Sequence, residues 1–281
     1  MTILFISSWF PFPPDNGSRI RVFNLIKQLS REHEIALLSF SRGAEVSEER
    51  LEEMRRYCSR VVAVPLAPFR PSSFRSALGF LSPRPRSFVD THSPRMEAAV
   101  SQVVRENDIS LVIASQLDAA PYAAALSRLP RILEEIELTK IREQYTRETE
   151  TYRRLRYGLT WWKTKRFAAG LVHEFDACTV VSEHERENVL RIAPGSQGVA
   201  VVPNGVDVAL HTGDFGPPRR GDLVFPGALT YGANLDAMEF FLHDVFPLVR
   251  ERRSGVILRI TGRTDGVPVD RLPLDESVVF T

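Results

Sequence analysis

Residues 3–28 read ILFISSWFPFPPDNGSRIRVFNLIKQ. An apolar run of strand length opens the stretch, and residues 18–30 carry apolar side chains at helical spacing. Between them, Pro11, Pro13, Pro14, Asp15, Asn16 and Gly17 suit neither element and mark a loop. Strand, loop and helix in that order make a βα unit. The helix start behind Gly17 offers backbone N–H groups and the positive end of a dipole, a setting that suits phosphate, and Arg19 and Arg21 add charge. A lone Gly equally well does no more than satisfy the turn. Three glycines in one short loop, the GxGxxG fingerprint, are missing, which disfavours a nicotinamide-dependent dehydrogenase.

The same alternation runs outward along the chain. Apolar runs of strand length recur at 34–40, 60–66, 110–116, 131–136, 177–182, 199–204, 222–227 and 255–262. Helix-period segments lie among them at 47–57, 94–106, 118–128, 183–192 and 234–251. Continuously apolar strands alternating with helices predict βαβ units and a parallel, doubly wound α/β sheet. The longest helical stretch, about 138–174, interleaves Tyr145, Tyr152, Tyr157, Trp161 and Trp162 with Arg154, Arg156, Lys163, Lys165 and Arg166. That pattern fits a surface helix with inward aromatics, and also a helix at a membrane interface. Residues 212–222, TGDFGPPRRGD, break the pattern and read as a linker. The expected domains are 1–205 and 206–281. The latter is expected to be truncated, because the sequence stops in the apolar run VVFT.

Composition excludes several classes. The chain has 281 residues, 43% hydrophobic and 25% charged, values of an ordinary globular protein. Its net charge of +1 supplies no global field for nucleic acid, so any polyanion site must be local. Cys58 and Cys178 stand alone, without ligand-type spacing, and indicate neither a disulfide framework nor a zinc site. No stretch approaches the ~20 apolar residues that span a bilayer, and the start does not read as a signal peptide. A cytoplasmic protein is expected.

Further candidates sit at predicted strand ends. VVPNGVDV (201–208) ends a strand in the turn Pro203–Asn204–Gly205, where open α/β sheets place ligands. Glu134, Glu135 and Glu137 close the strand RILEEI, positioned either to orient a substrate hydroxyl or to stand in solvent. His173 and His184 have no ligand or triad partners in the pattern. Residues 69–88 combine Arg70, Arg75, Arg84 and Arg86 with Phe and Pro, chemistry for an anionic group at a membrane surface or for a solvated loop.

Taken in order, the Gly loop, RVFNLIKQLSREHEIALLSF, TVVSEHERENVL, VVPNGVDV and LVFPGALTYGANLDAMEFFLHDVFPLV resemble family 4 glycosyltransferases of the GT-B fold, built from two Rossmann-like domains. In style the match is closest to exosortase-associated sugar transferases of bacterial exopolysaccharide clusters. The resemblance implies an acceptor-side first domain and a nucleotide-sugar domain starting near residue 206. It carries donor-binding roles onto Gly17 and Arg21, onto Asn204 and Gly205 in the turn lining the family's cleft, and onto Gly227 at the opening of the donor domain's first loop. It leaves Asp118, Glu135, Glu137, Arg84 and Arg86 as acceptor or cleft candidates, assigns no catalytic residue, and implies neither metal nor cofactor. This chain departs from the family's pattern in three places. The family's His after the fourth strand is replaced by Ser115, Gln116 and Asp118; the loop after Gly227 reads ALTYGANLDA, with Tyr231 and Asn234 and no base; and the E-x7-E segment would fall beyond residue 281.

The resulting expectation is a sugar transferase acting on a nucleotide sugar and a saccharide or lipid-linked acceptor. It would retain anomeric configuration, serve polysaccharide or glycoconjugate synthesis, and touch the inner face of the membrane. The alternatives are a non-catalytic chain that binds an acceptor or partner through its first domain, and one half of a split transferase.

Overall fold

β1 (Thr2–Ser7) is buried from its second residue onward. Its side chains alternate between two cores: Leu4 and Ile6 enter one, Ile3 and Phe5 the other. A strand covered on both faces needs no polar side, hence its unbroken apolar run. In the computed structural model, which describes residues 1–42, 46–208, 212–213, 216–217 and 219–281, the chain forms two units, Met1–Val206 and Asp207–Thr281. Part of the predicted linker, residues 214, 215 and 218, lies outside the described residues.

After β1 the larger unit continues with α1 (Gly17–Leu29), β2 (Glu34–Arg42), α2 (Glu48–Arg55), β3 (Arg60–Leu66), α3 (Phe74–Leu78), α4 (Arg86–Asp90) and α5 (Pro94–Glu106). It then runs through β4 (Ile109–Ser115), α6 (Ala120–Ala124), β5 (Arg131–Glu134), α7 (Thr139–Arg147), α8 (Thr151–Glu174), β6 (Ala177–Val180), α9 (Glu183–Ile192) and β7 (Val199–Val201). Its seven strands pair in the order β3-β2-β1-β4-β5-β6-β7, and every pairing is parallel. Winding reverses between β1 and β4, the point where such sheets open a crevice at their carboxyl edge.

Helix ends follow local chemistry. Asn16 caps α1 by accepting the Arg19 N–H at 3.1 Å. The predicted helix 138–174 is two helices, α7 and α8. The Glu148 carboxylate accepts the N–H groups of Thr149 and Glu150, both at 3.0 Å, and holds the break. Gly158 lets the two helices approach: a Cβ there would lie 3.1 Å from the Tyr145 ring. Likewise the predicted helix 118–128 shrinks to α6, where Leu126 and Leu129 pack on the core beyond the helix end.

The smaller unit holds β8 (Asp222–Pro226), α10 (Gly232–Phe240), α11 (Phe246–Arg252), β9 (Ile257–Thr261) and β10 (Val278–Phe280), with parallel strands in the order β10-β9-β8. A π-helical turn, Phe241–Val245, separates α10 from α11, just ahead of Pro247, whose ring nitrogen has no hydrogen to donate to the preceding turn. Its core gathers Leu229, Met238, Leu242, Phe246, Leu258 and Ile260.

Candidate active site

Helix α1, the ends of β4 and β5 and the turn after β7 meet at the carboxyl edge of the larger sheet. Arg21, one turn into α1, is 7% exposed. Its Nε donates to Glu134 Oε1 at 2.6 Å and its Nη1 to Asn204 Oδ1 at 3.0 Å. The Ser115 hydroxyl donates to the other Glu134 oxygen at 2.8 Å. One network thus ties helix α1, two strand ends and the Pro203–Asn204–Gly205 turn, although its members are separated by as many as 183 residues. Arg21 Nη2 is buried and, among the described residues, has no hydrogen-bond partner. A buried guanidinium donor left unmatched is costly, and a ligand or water at this edge would match it.

Beside this network lies another, centred on Gln116. Its carbonyl accepts the Trp9 indole N–H at 3.0 Å; its amide donates to Ser18 Oγ at 3.0 Å and to Glu135 Oε2 at 3.1 Å. Gln116 and Glu135, each directly following its strand, are the two residues besides glycine with positive φ among those described, at 70° and 57°. Left-handed backbone costs a side-chain-bearing residue about 1–2 kcal/mol, and such strain gathers at functional sites. Burial, and after it the Glu134 charge, raises the Glu135 pKa above the usual carboxylate range, against the Gln116 hydrogen bond that lowers it.

The other sequence candidates separate into groups. Gly17 and Gly205 have open space where a Cβ would stand, so no neighbour among the described residues requires a glycine at either position. Arg19 pairs with Asp15 at 2.8 Å and lies over the Trp9 ring. Asp118 forms an ion pair with Arg42 and, with Arg84, His92, Thr91 and Tyr122, lines a groove at the β2 and β3 end of the same edge. Arg86 turns its guanidinium inward, to the carbonyls of Ser76 at 3.0 Å and Pro71 at 2.6 Å. Glu137 is exposed. In the smaller unit Gly227 directly follows β8 and faces Asn234, whose Nδ2 would lie 2.8 Å from an added Cβ.

Two residues gain their place only from the structure. Glu134 reads in the sequence as one member of an acidic cluster, whereas it is the buried counter-ion of Arg21. Arg263 is the other. The loop after Gly227 carries no base, but the Leu229 N–H donates to the Arg263 carbonyl at 2.9 Å, so the end of β9 brings the backbone of Arg263 beside that loop. Arg263 is paired with Asp265 at 2.9 Å and stays exposed. Its place after β9 carries no sequence signal, because only parallel pairing of β8 and β9 makes the two loops neighbours. Among the described residues, no group of three or more His, Cys, Asp or Glu is placed to hold a metal ion.

Two parallel Rossmann-like sheets, with polar side chains gathered at a switch point, define an α/β protein of the GT-B type. The chain belongs to glycosyltransferase family 4, whose family model matches residues 15–210. Sucrose-phosphate synthase from Thermosynechococcus elongatus is similar over 100% of this chain and 70% of that one, at 12% identity and a TM-score of 0.62. Phytolacca americana UGT2, complexed with UDP-2-fluoro-glucose and pterostilbene, shows 12% identity and a TM-score of 0.53 over 100% of this chain and 70% of that one. A structure described as a putative UDP-N-acetylglucosamine 2-epimerase from Listeria monocytogenes gives 14% identity, a TM-score of 0.53, and coverage of 99% and 68%. At these identities the likeness is one of fold. No curated protein matched the chain.

Proposed function

We propose that the protein transfers a sugar from a nucleotide sugar to a saccharide or lipid-linked acceptor, with retention and without a metal, in polysaccharide or glycoconjugate synthesis. Membership of glycosyltransferase family 4 supports the reaction class. UGT2, of like fold, is seen with a UDP-sugar, which supports that donor chemistry. The observation that carries the reading is the carboxyl edge of the larger sheet, where an unmatched Arg21 donor, the open approach at Gly17 and a strained Gln116–Glu135 pair converge.

On the larger unit, the start of α1, Arg21 Nη2 and the Asn204–Gly205 turn are assigned to the donor's anionic part. Glu135 is assigned to the acceptor hydroxyl, with the groove of Asp118 and Arg84 as the acceptor's further contact. The smaller unit, taken by itself, offers the Gly227 loop and Arg263 as its own candidates for holding a donor phosphate group. Calorimetric titration with UDP-, GDP-, ADP- and dTDP-sugars tests the donor reading. One of these should bind saturably, and Arg263→Ala should weaken it about tenfold, the loss of one charge-assisted contact. Absence of binding by all four would remove the reading.

A membrane-surface contact is proposed on separate grounds. Among the described residues no helix is long and apolar enough to cross a membrane. Buried Lys163 of α8 donates to the carbonyls of Gly79 at 2.8 Å and Phe80 at 2.9 Å, fastening the loop after α3 onto that helix. Leu81 at 89% and Phe74 at 78% exposure stand there with half-exposed Trp162, over which Arg166 lies. Exposed apolar groups among bases suit an anionic bilayer surface. Sedimentation with phosphatidylglycerol vesicles should fall at least tenfold for the Phe74→Glu/Leu81→Glu variant; unchanged sedimentation would sink the proposal.

A further inference from the structure

The helical layer of the larger unit holds a cavity of about 220 Å3 lined by Leu138, Thr139, Arg142, Trp161, Lys165, Asn188, Arg191 and Ile192. Its walls come from the start of α7, the middle of α8 and the end of α9, none of which belongs to the edge networks. Arg142 Nη1 and Arg191 Nη1 both donate to one oxygen, Asn188 Oδ1, at 3.1 and 2.7 Å. Asn188 is itself buried, and its amide donates to Thr139 Oγ1 at 3.4 Å.

Two guanidinium groups are therefore held at one neutral acceptor, with Lys165 lining the same cavity, and all three basic residues reach solvent at its mouth. A neutral oxygen does not cancel their charge, and like charges brought together repel. Among the described residues none of the three forms an ion pair. The nearest carboxylate in the chain of contacts, Glu185, is reached only through the Thr139 hydroxyl, so the cavity keeps a positive balance. The rest of its lining is apolar: Trp161, Leu138 and Ile192. The volume is below the roughly 300–1000 Å3 of drug-sized sites and suits one phosphate with a small apolar fragment.

From these observations we infer a further, non-catalytic ligand site for an organic phosphate. Arg142, Lys165 and Arg191 hold the phosphate, and its apolar or aromatic neighbour lies against Trp161. A phosphate monoester carries about −1.5 to −2 charge at pH 7, which matches three cations partly offset by Glu185. Arg supplies the forked donors for such a group. The site goes beyond the transferase reading and stands without it.

Calorimetry with phenyl phosphate, inorganic phosphate and phenol tests the inference. Phenyl phosphate should bind saturably, inorganic phosphate more weakly, and phenol not at all. Arg142→Ala/Arg191→Ala should weaken phenyl phosphate at least tenfold. Lys165→Glu, an exposed change that leaves the Asn188 contacts intact, should do the same with an unchanged melting temperature and unchanged nucleotide-sugar binding. Displacement of phenyl phosphate by phosphatidylglycerol vesicles, and not by phosphatidylcholine, would place the phosphate on a lipid headgroup; no displacement would place it on a soluble ester. No saturable heat from phenyl phosphate, or equal affinity in Lys165→Glu, would overturn the site.

Discussion

Glu134→Ala should lower the stability of the Met1–Val206 unit by about 3–5 kcal/mol, the cost of leaving a buried cation without its counter-ion. Both side chains of the Arg21–Glu134 pair are only 5% exposed, so water cannot replace the lost carboxylate. Asn204 would remain as a single neutral acceptor, and the Ser115 hydroxyl would lose its partner as well. Replacing both charges together, as Arg21→Met/Glu134→Leu, should recover most of the loss, because two apolar groups incur no desolvation penalty. Denaturant midpoints of the parent and both variants at constant m-value measure this. A loss below about 1 kcal/mol in Glu134→Ala would show that the pair is not sealed from solvent. The double variant should still lose donor binding, since the Arg21 Nη2 donor is gone.

The neighbouring carboxylate should behave in the opposite way. Burial and Glu134 raise the Glu135 pKa above its unfolded value, so the folded chain holds this proton more tightly than the unfolded chain does. The favourable contribution is present in full below the unfolded pKa and is lost as pH rises through the folded one. Glu135→Gln removes that pH dependence, and above the window it should be as stable as the parent or more so. Its amide oxygen can still accept the Gln116 amide hydrogen.

Sugar transfer should nonetheless fall by about 100-fold in kcat, on the proposal that the ionised carboxylate draws on the acceptor hydroxyl as its oxygen attacks. In the parent protein, kcat should decline as pH drops through the raised Glu135 pKa; in Glu135→Gln that limb of the profile should be flat. Parallel losses of stability and activity would instead give Glu135 a purely structural part.

Much of the larger unit is legible in the sequence because its strands are covered on both faces. ILFISS and EIALLSF announce burial by composition alone, and the caps at Asn16, Ser93 and Ser182 stand where the helical periodicity begins. The continuous period through 138–174 hides the break, which depends on the Glu148 carboxylate and on Gly158 admitting Tyr145. In the site, Gly17, Arg21 and Asn204 are legible from loop chemistry and from resemblance, and the structure joins the last two by a hydrogen bond. The Arg21–Glu134 pairing is not legible. It links positions 113 apart, and only the parallel order β1-β4-β5 brings them together. Gln116 stands out in the sequence only as a departure from the family's His, since its three hydrogen-bond partners, Trp9, Ser18 and Glu135, are far from it in sequence or on another strand end and meet it only through the strand order. Arg263 is hidden for the same reason: strand order, rather than spacing, makes it a neighbour of the Gly227 loop.

The most direct test of the account is transfer itself. The purified chain would be incubated with UDP-, GDP-, ADP- and dTDP-sugars carrying a labelled glycosyl group, together with lipid-linked and free saccharide acceptors. The account predicts that label from one donor enters an acceptor, with the anomeric configuration of the donor kept when the product is read by NMR. A folded protein that moves no label and consumes no donor under these conditions would contradict it, and would leave a binding protein in its place.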